Sequence, residues 1–443
     1  MGANGEAAAR VFRAQPGEVV SQVAWSPDGR WLTYIRRADR RNEVVAEARL
    51  PGGSEARRIF DGPNLQGFCW LTSGHLVLNL WEAPDEPTSN LWEIDVDSNR
   101  MQPLDRPRRL TNWAGFSVGS MSASADGRRL AIAKRLDQSD VFAGELAEND
   151  SKLIHPRRLT ADERIDWPGS WSADSRWLLF ESERTGRMGI FRQRVDSSNA
   201  EPVVVNGENN WSPAFSPDGK WLLYLVSQPS ETRLMRVPVA GGAADLILSS
   251  NGPPAFIRAR RTSATAGATH ATTAGNPAFR CAARPDAPCV LSEEAGSELV
   301  FSSFEPAPGA KRTEIFRMAT ENASDLFWDL SGDGRQLAYG SKSDYSRIRI
   351  RDLAKQTVRE ISIPQWPELR SVGWSTDGKS LFVADWRPQG SSLLNVTLDG
   401  RATLLYKGAE PVELLRASPD GRYLAFGQVV SGVNVWLIEG VPH

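Results

Sequence analysis

The chain has 443 residues, a formal net charge of −2 and a hydrophobic fraction of 40%, a composition typical of a soluble globular protein. The near-neutral charge excludes a chain-wide nucleic-acid or membrane surface, and no run approaches the ~18 apolar residues of a membrane span. Three Cys and four His are too few and too scattered to favour a zinc cluster, so we expect no metal and no cofactor.

A short repeat organises the sequence. The unit Ser-Pro-Asp-Gly, followed by a basic residue, an aromatic residue and Leu, surrounds Asp28, Asp218 and Asp420, and looser copies surround four more Asp residues. Spacing adds two weaker units, at residues 70–74 and 284–286. Pro presets φ, Asp accepts backbone hydrogen bonds and Gly takes a positive φ, so each unit predicts a tight turn. The predicted turn residues are Asp28, Asp126, Asp174, Asp218, Asp286, Asp333, Asp377 and Asp420.

The turns are flanked by strand-like runs, and a second pair of such runs follows each hairpin. Four short strands in each repeat of 43 to 52 residues are typical of a β-propeller blade. The sequence therefore predicts an all-β protein forming a single β-propeller of four-stranded blades. Nine repeat units are counted, and we expect eight or nine blades. A split into two smaller rings is the alternative, without a linker-like segment to support it.

The predicted domain organisation follows from the same spacing. We expect a disordered N-terminal tail over residues 1–8 and a propeller over residues 9–439. One interval of 68 residues is longer than the rest, and its excess matches residues 257–278, which predict an inserted low-complexity loop. Residues 9–13 are predicted to be an outer strand that shares a blade with the C-terminal run 433–438, which would close the ring.

Several longer phrases carry a narrower resemblance. The repeat resembles the TolB-like, WD-repeat-like (PD40) propeller unit over most of the sequence. The segments 89–93, 107–116, 279–293 and 327–331 are similar to the C-terminal propeller attached in certain bacteria to serine/threonine protein kinases or winged-helix regulators. This resemblance implies a sensor or interaction module. The sequence contains neither a kinase catalytic loop nor an N-terminal helix-turn-helix. A signalling output is therefore expected in a missing partner, a separate chain or a truncated part of the protein.

The functional prediction is a non-catalytic sensor propeller of a bacterial signalling system that binds a protein, peptide or small ligand at one mouth of its channel. A kinase or transcriptional regulator is the partner that the resemblance implies. Two alternatives stay open: the gating propeller of a prolyl-oligopeptidase-like serine peptidase, and a TolB-type periplasmic assembly subunit. The sequence shows no secretory signal, and the native compartment is left undecided.

Other motifs carry less. Cys281 and Cys289 flank a short reversal, so a disulfide and a pair of free thiols are both compatible with the pattern. Cys69 is predicted to be a small buried residue. Residues 115–119 match a nucleophile elbow, but they lie between predicted blade strands and no helix follows, so the strand–turn–helix context that the motif requires is missing. Three further features are interpreted as solvated loops or isolated residues: the start of a calcium-loop pattern at 95–99, a basic cluster at 258–284, and the four His at 75, 155, 270 and 443.

Overall fold

A computed structural model describes residues 11–15, 18–38, 43–51, 55–72, 74–83, 86–113, 116–147, 150–162, 164–228, 231–251, 279–285, 287–295, 297–319, 326–341 and 344–440. These residues form strands and turns and contain no helix, so the all-β prediction is confirmed. The described part of the protein accordingly offers no helix long and apolar enough to cross a membrane. The predicted tail 1–8, the predicted insert 257–278 and the turn residue Asp286 lie outside the described residues.

The first two sheets follow the repeat pattern. One has the order β1-β2-β3-β4 and the other β5-β6-β7-β8, with β9 also paired to β7. Their strands are β1 (Glu18–Trp25), β2 (Leu32–Ala38), β3 (Glu43–Arg49), β4 (Ala56–Asp61), β5 (Leu65–Thr72), β6 (His75–Ala83), β7 (Glu86–Asp97), β8 (Gln102–Pro103) and β9 (Arg108–Arg109).

The next strands begin a sheet that the C-terminal strands complete. β10 (Ser117–Ala123) pairs with the long strand β11 (Arg129–Ala147), which also pairs with β12 (Lys152–Arg158). Two regular four-stranded sheets follow, each with its strands in sequence order. Their strands are β13 (Asp166–Trp171), β14 (Trp177–Ser182), β15 (Gly189–Arg194), β16 (Ala200–Val204), β17 (Asn210–Phe215), β18 (Trp221–Ser227), β19 (Glu231–Pro238) and β20 (Asp245–Asn251).

Three more four-stranded sheets follow in sequence order, and β33 and β34 then join the sheet of β10–β12 in the order β10-β11-β34-β33. The strands are β21 (Phe279–Cys281), β22 (Cys289–Ala295), β23 (Glu298–Phe304), β24 (Thr313–Ala319), β25 (Leu326–Leu330), β26 (Gln336–Ser341), β27 (Asp344–Asp352), β28 (Val358–Ser362), β29 (Leu369–Trp374), β30 (Ser380–Arg387), β31 (Gly390–Thr397), β32 (Ala402–Gly408), β33 (Val412–Ala417) and β34 (Tyr423–Glu439).

The nine predicted repeat units correspond to nine hairpins between a first and a second strand. The described strands nevertheless form eight sheets, because the third and ninth hairpins share one sheet through β11 and β34. The predicted pairing of residues 9–13 with the C-terminal run is not seen among the described residues. Residues 11–13 form no strand, and β34 pairs with β33 and β11. The number of blades stays a prediction.

By its internal contacts the protein divides into two compact units, one of residues 1–136 with 431–443 and the other of residues 137–430. β11 and β34 both cross this boundary, so each unit contains part of each strand. The division does not test whether residues 9–439 form a single propeller, so that stays a prediction. In the second unit, the apolar core lies between neighbouring sheets; one cluster, for example, joins Leu223 of β18 to Phe279 of β21 and Phe304 of β23.

The first strands of the six sheets in the second unit contact one another in sequence, and β33 contacts β13. Each first strand has a ladder partner on only one edge, so groups on its other edge need partners from elsewhere. Neighbouring sheets supply several of them: Ser170 Oγ accepts from Phe215 N (3.0 Å), Asp329 Oδ2 from Trp374 N (2.9 Å) and Ser371 Oγ from Leu414 N (3.1 Å), while Arg416 Nε donates to Gly169 O (2.7 Å).

Candidate binding site

The repeat turns have one hydrogen-bonding pattern. In the first copy, Ser26 Oγ donates to Asp28 Oδ1 (2.5 Å), Arg30 N donates to the same oxygen (3.1 Å), and Trp31 N donates to Ser26 Oγ (3.0 Å). Gly29 has φ of 70°, the left-handed conformation that Gly adopts without strain. The turns that contain Asp126, Asp174, Asp218, Asp333, Asp377 and Asp420 repeat these bonds.

These bonds occupy the turn carboxylates. The Ser26 hydroxyl and the backbone N–H of Arg30 stabilise the ionised form of Asp28 and lower its pKa, despite some opposing desolvation. Desolvation is the largest single influence on Asp333, Asp377 and Asp420, and by itself it would raise their pKa. The hydrogen bonds to each carboxylate outweigh it together, so the pKa of each lies below its ordinary value. None of the turn aspartates belongs to the one cluster of potential metal ligands among the described residues. Their geometry accounts for them as turn residues.

Two of the cysteines lie in one hairpin. Cys281 of β21 and Cys289 of β22 are register partners and are joined by a disulfide. Cys69 has a free thiol and is partly buried, and this burial raises its pKa. The disulfide ties the first two strands of its sheet together, and its sulfurs offer no thiol for chemistry.

A cavity of about 310 Å³ lies in the second unit, at the loop between β14 and β15 and the loop between β16 and β17. In a four-stranded antiparallel sheet these loops share the end opposite the Ser-x-Asp-Gly turns. Both loops reverse at a Gly with positive φ, Gly186 (89°) and Gly207 (77°). The remaining lining residues are Thr185, Arg187, Met188, Gly189, Val205, Asn206 and Glu208.

The walls of this cavity are held by local bonds. Asn206 Oδ1 accepts from Glu208 N (3.1 Å) and from Asn210 Nδ2 (2.8 Å), and the Glu208 carboxylate pairs with Arg233 (2.6 Å). Arg187 is exposed, and within the described residues no hydrogen bond or ion pair of its guanidinium is found. The cavity therefore combines fixed backbone and amide groups with one cation that is available to an incoming anion.

A cluster of acids and arginines lies at the same end of the sheets. Arg184, which precedes the cavity loop, contacts Asp162 (3.0 Å) and the fully buried Asp166 (3.4 Å). Its guanidinium also lies over the Phe180 and Phe191 rings, at 4.9 and 4.7 Å from their centroids. A second pair, Arg158 and Asp140, lies nearby at 2.6 Å, and Arg158 also donates to the Asp162 carbonyl (2.9 Å). We call these five polar residues, Asp140, Arg158, Asp162, Asp166 and Arg184, the acid–arginine cluster.

Burial changes the protonation of this cluster. Desolvation raises the pKa of Asp166 to about 7, against the hydroxyl of Ser182 and the charge of Arg184, which favour its ionised form. Desolvation also raises the pKa of Asp140, although Arg158 opposes the shift. Arg184 is shared between Asp162 and Asp166, so it compensates each carboxylate only in part. The cluster thus holds a carboxyl group that titrates near neutral pH beside the cavity.

The sequence did not single out this cluster or the cavity. Asp162, Asp166 and Arg184 belong to no repeat position, and strand register alone brings them together. The cavity lining contains no His or Cys, and the Thr185 hydroxyl donates to the Arg187 carbonyl (3.5 Å). This lining offers binding groups and no activated nucleophile. Residue 115, the first of the nucleophile-elbow match at 115–119, lies outside the described ranges.

A family match covers the region of the cavity. Residues 105–255 match the family model of the TolB beta propeller domain. The matched segment contains the cavity and the acid–arginine cluster. The TolB-like propeller that the repeat predicted is thereby supported, whereas the resemblance to kinase and regulator sensors stays a proposal.

The chain is also similar to individual proteins. The Tol-Pal system protein TolB of Campylobacter jejuni is 30% identical over 41% of this chain and 43% of its own length. An uncharacterized protein of Agrobacterium fabrum is 32% identical over 27% of this chain and 39% of its own length. The match thus spans less than half the length of these relatives. The crystal structure of TolB from Acinetobacter baumannii shows 12% identity and a TM-score of 0.43, covering 82% of this chain and 81% of that one.

Proposed function

We propose that this protein is a non-catalytic recognition module that binds a protein or peptide through the cavity of the second unit. The observation that carries the proposal is the pairing of a preformed cavity with Arg187, a cation that has no partner in the described part of the protein. Glu208 already pairs with Arg233, so Arg187 sets the charge preference of the cavity. The ligand class that fits is an acidic peptide segment or the carboxyl terminus of a polypeptide, whose carboxylate Arg guanidinium binds in bidentate geometry.

The cavity volume agrees with this class. About 310 Å³ lies at the lower end of the roughly 300–1,000 Å³ of typical ligand sites, which suits one or two side chains of a peptide. Gly186 and Gly207 have no side chain, and no other atom lies within 4 Å of the position that a Cβ would take at either residue. A peptide backbone can therefore approach these two glycines closely. We place the module in a bacterial signalling system, with a kinase or regulator as the partner, on the sequence resemblance alone.

Thermal-shift measurements with a library of short acidic peptides and C-terminal peptides test the proposal. A ligand that binds the folded form raises the melting temperature by mass action. The stabilisation should disappear in Arg187→Ala and persist in Arg194→Ala, an arginine of the same unit whose partner is Asp196 and which does not line the cavity. Binding that is equal in both variants, or no stabilising peptide at millimolar concentration, would refute the assignment.

A second candidate is a TolB-type envelope component. The specific observation that favours it is the Cys281–Cys289 disulfide, since disulfides persist in oxidising compartments such as the periplasm. Alkylation of thiols in cells of the native host, followed by mass spectrometry, separates the two settings. Oxidised Cys281 and Cys289 favour an envelope component, and two alkylated cysteines favour a cytoplasmic sensor.

A further inference from the structure

Three potential metal ligands meet in the first unit, on one pair of strands. His75 is the first residue of β6, and its register partner in β7 is Asp95. Glu93 lies two residues before Asp95, opposite Val77. Because side chains alternate between the faces of a strand, Glu93 and Asp95 emerge on the same face.

The ligand atoms converge on His75. Its Nδ1 lies 2.8 Å from Asp95 Oδ1 and 3.7 Å from Glu93 Oε1, and the three ligand atoms all lie within 4.8 Å of one another. A tetrahedral zinc ion with bonds of roughly 2.0–2.2 Å holds its ligand atoms about 3.3 Å apart. Small side-chain movements would therefore bring one imidazole nitrogen and two carboxylate oxygens to a single ion.

Two of these ligand atoms lack a hydrogen-bond partner. His75 Nδ1 and Glu93 Oε1 are both buried, and neither makes a hydrogen bond of acceptable geometry. The Glu93 side chain is only 3% exposed, and its other oxygen, Oε2, accepts from Arg108. A buried carboxylate oxygen without a partner is costly, because nothing replaces the water that it loses. An ion at this position would satisfy both atoms.

The local charge favours a cation. Glu93 and Asp95 contribute two negative charges, and Arg108 compensates one of them. The Asp105 carboxylate lies close as well, accepting from the backbone N–H of Asp95 at 3.4 Å. Three carboxylates against one guanidinium leave an excess of negative charge that a divalent ion would neutralise.

The arrangement is specific to this sheet. His75 and Asp95 are the first register pair between the second and third strands of their sheet. The same position contains no His in five other sheets. The pairs there are Leu32 with Arg49, Trp177 with Arg194, Trp221 with Pro238, Gln336 with Asp352, and Ser380 with Thr397. The propeller repeat therefore does not require these ligands. The β5–β6 hairpin, whose turn directly precedes His75, is one of the two weak repeat units, since residues 70–74 lack the turn Asp.

We propose that His75, Glu93 and Asp95 bind a divalent transition-metal ion, with Zn²⁺ as the preferred ion. One imidazole and two carboxylates suit Zn²⁺, and three protein ligands leave the fourth position for water. Asp95 and His75 are 45% and 32% exposed, so the ion has an entry path from solvent. Bound there, the ion would join the start of β6 to the end of β7.

Isothermal titration of the full-length protein without an affinity tag, after treatment with EDTA, tests the site with ZnCl₂ as the probe. We expect one Zn²⁺ per molecule in wild type, and at least ~100-fold weaker binding in His75→Ala and Asp95→Asn. Cobalt(II) provides a second readout, because a tetrahedral Co²⁺ site with these ligands absorbs in the visible range. His155→Ala is the matched control, since His155 is exposed in β12, outside the cluster, and should leave the affinity unchanged.

Circular dichroism melting shows which variants are folded, so that a loss of Zn²⁺ binding can be separated from a loss of folding. Asp95 is about half exposed, so Asp95→Asn should fold even where a His75 variant does not. Loss of Zn²⁺ binding in a folded Asp95→Asn variant supports the site. The proposal is overturned by a wild-type protein that takes up no Zn²⁺, or by a folded Asp95→Asn variant with wild-type affinity.

Discussion

Arg280 and Asp329 form an ion pair that joins β21 to β25, with Arg280 Nε 3.1 Å from Asp329 Oδ1 and both side chains 14% exposed. Asp329 also accepts the backbone N–H of Trp374 in β29 through its second oxygen (2.9 Å). One carboxylate thus links the first strands of three successive sheets. Burial raises the pKa of Asp329, and the Arg280 charge and the Trp374 N–H act in the opposite direction.

Asp329→Asn should destabilise the protein strongly. The change leaves the buried Arg280 guanidinium without its counter-charge, and breaking one side of a buried pair typically costs about 3–5 kcal/mol. Urea unfolding of wild type and variant measures this loss. The double variant Arg280→Met with Asp329→Asn is the control, because it removes both charges and should recover much of the stability. A double variant that is as unstable as the sum of the single variants would show that the pair is not coupled.

Asp166 should make stability depend on pH between about 4 and 7. Its pKa is raised from 3.8 to about 7 in the folded protein, so over this range the unfolded state is ionised while the folded state keeps its proton. The stability contributed by the protonated form is complete below pH 3.8 and is lost as pH rises toward 7. The loss is on the order of 4 kcal/mol. Unfolding midpoints of wild type and Asp166→Asn across pH 4–8 measure it.

The Asn variant cannot ionise, so its stability relative to wild type should increase through this pH range. Asp196→Asn is a suitable comparison, since Asp196 is an exposed carboxylate whose pKa is lowered by the side chain of Arg194. A constant difference between wild type and Asp166→Asn from pH 4 to 8 would contradict a neutral carboxyl at this position.

The hairpins and turns could be predicted from the sequence because their determinants are local. Ser26, Asp28 and Gly29 lie within four residues, and their bonds need no distant partner. Cys281 and Cys289 are also local, eight residues apart in one hairpin, but their spacing was equally compatible with a disulfide and with two free thiols. Composition and spacing therefore revealed the repeat, the strands and the positions of the nine hairpins.

The candidate sites were not predictable, because strand register and sheet exchange create them. Asp166 is surrounded by residues of β13, β14 and the segment after β12, and no motif connects these segments. His75 lies 18 residues before Glu93, and only the pairing of β6 with β7 brings them together. The shared sheet of the third and ninth hairpins depends on the pairing of β11 with β34, strands too far apart in sequence for spacing to reveal.

Gly169→Ala should weaken the second unit by about 3 kcal/mol, since overpacking against rigid atoms forces backbone shifts. An added Cβ would lie 2.5 Å from the Pro213 carbonyl oxygen of β17 and 2.6 Å from Pro213 Cγ. Gly332→Ala is the control, because the nearest atoms to its Cβ would be 3.9 Å away. Thermal unfolding of the two variants compares them, and equal melting temperatures would show that β13 and β17 can separate without cost.

Removal of the disulfide should lower stability by about 2–3 kcal/mol, the loop-closure value for a separation of eight residues. The double variant Cys281→Ser with Cys289→Ser should unfold at lower urea concentration than the oxidised wild type, and reduced wild type should match it. Cys69→Ser is the control, because it keeps the disulfide and should lose as much stability on reduction as wild type does. A double variant as stable as the oxidised protein would mean that the bond adds nothing to the folded state.

The repeat turns should make the protein sensitive to acid. In Asp218 the hydroxyl of Ser216 and the N–H of Lys220 favour the carboxylate and lower its pKa below 3.8, against some desolvation. A lowered pKa contributes stability above pH 3.8 that is lost as pH falls through the folded-state pKa. Asp218→Ala should therefore cost about 1 kcal/mol at pH 6, the value of one to two hydrogen bonds. The difference from wild type should shrink by about pH 2.5 in urea titrations, and a difference that stays constant would show that the charge of Asp218 does not contribute.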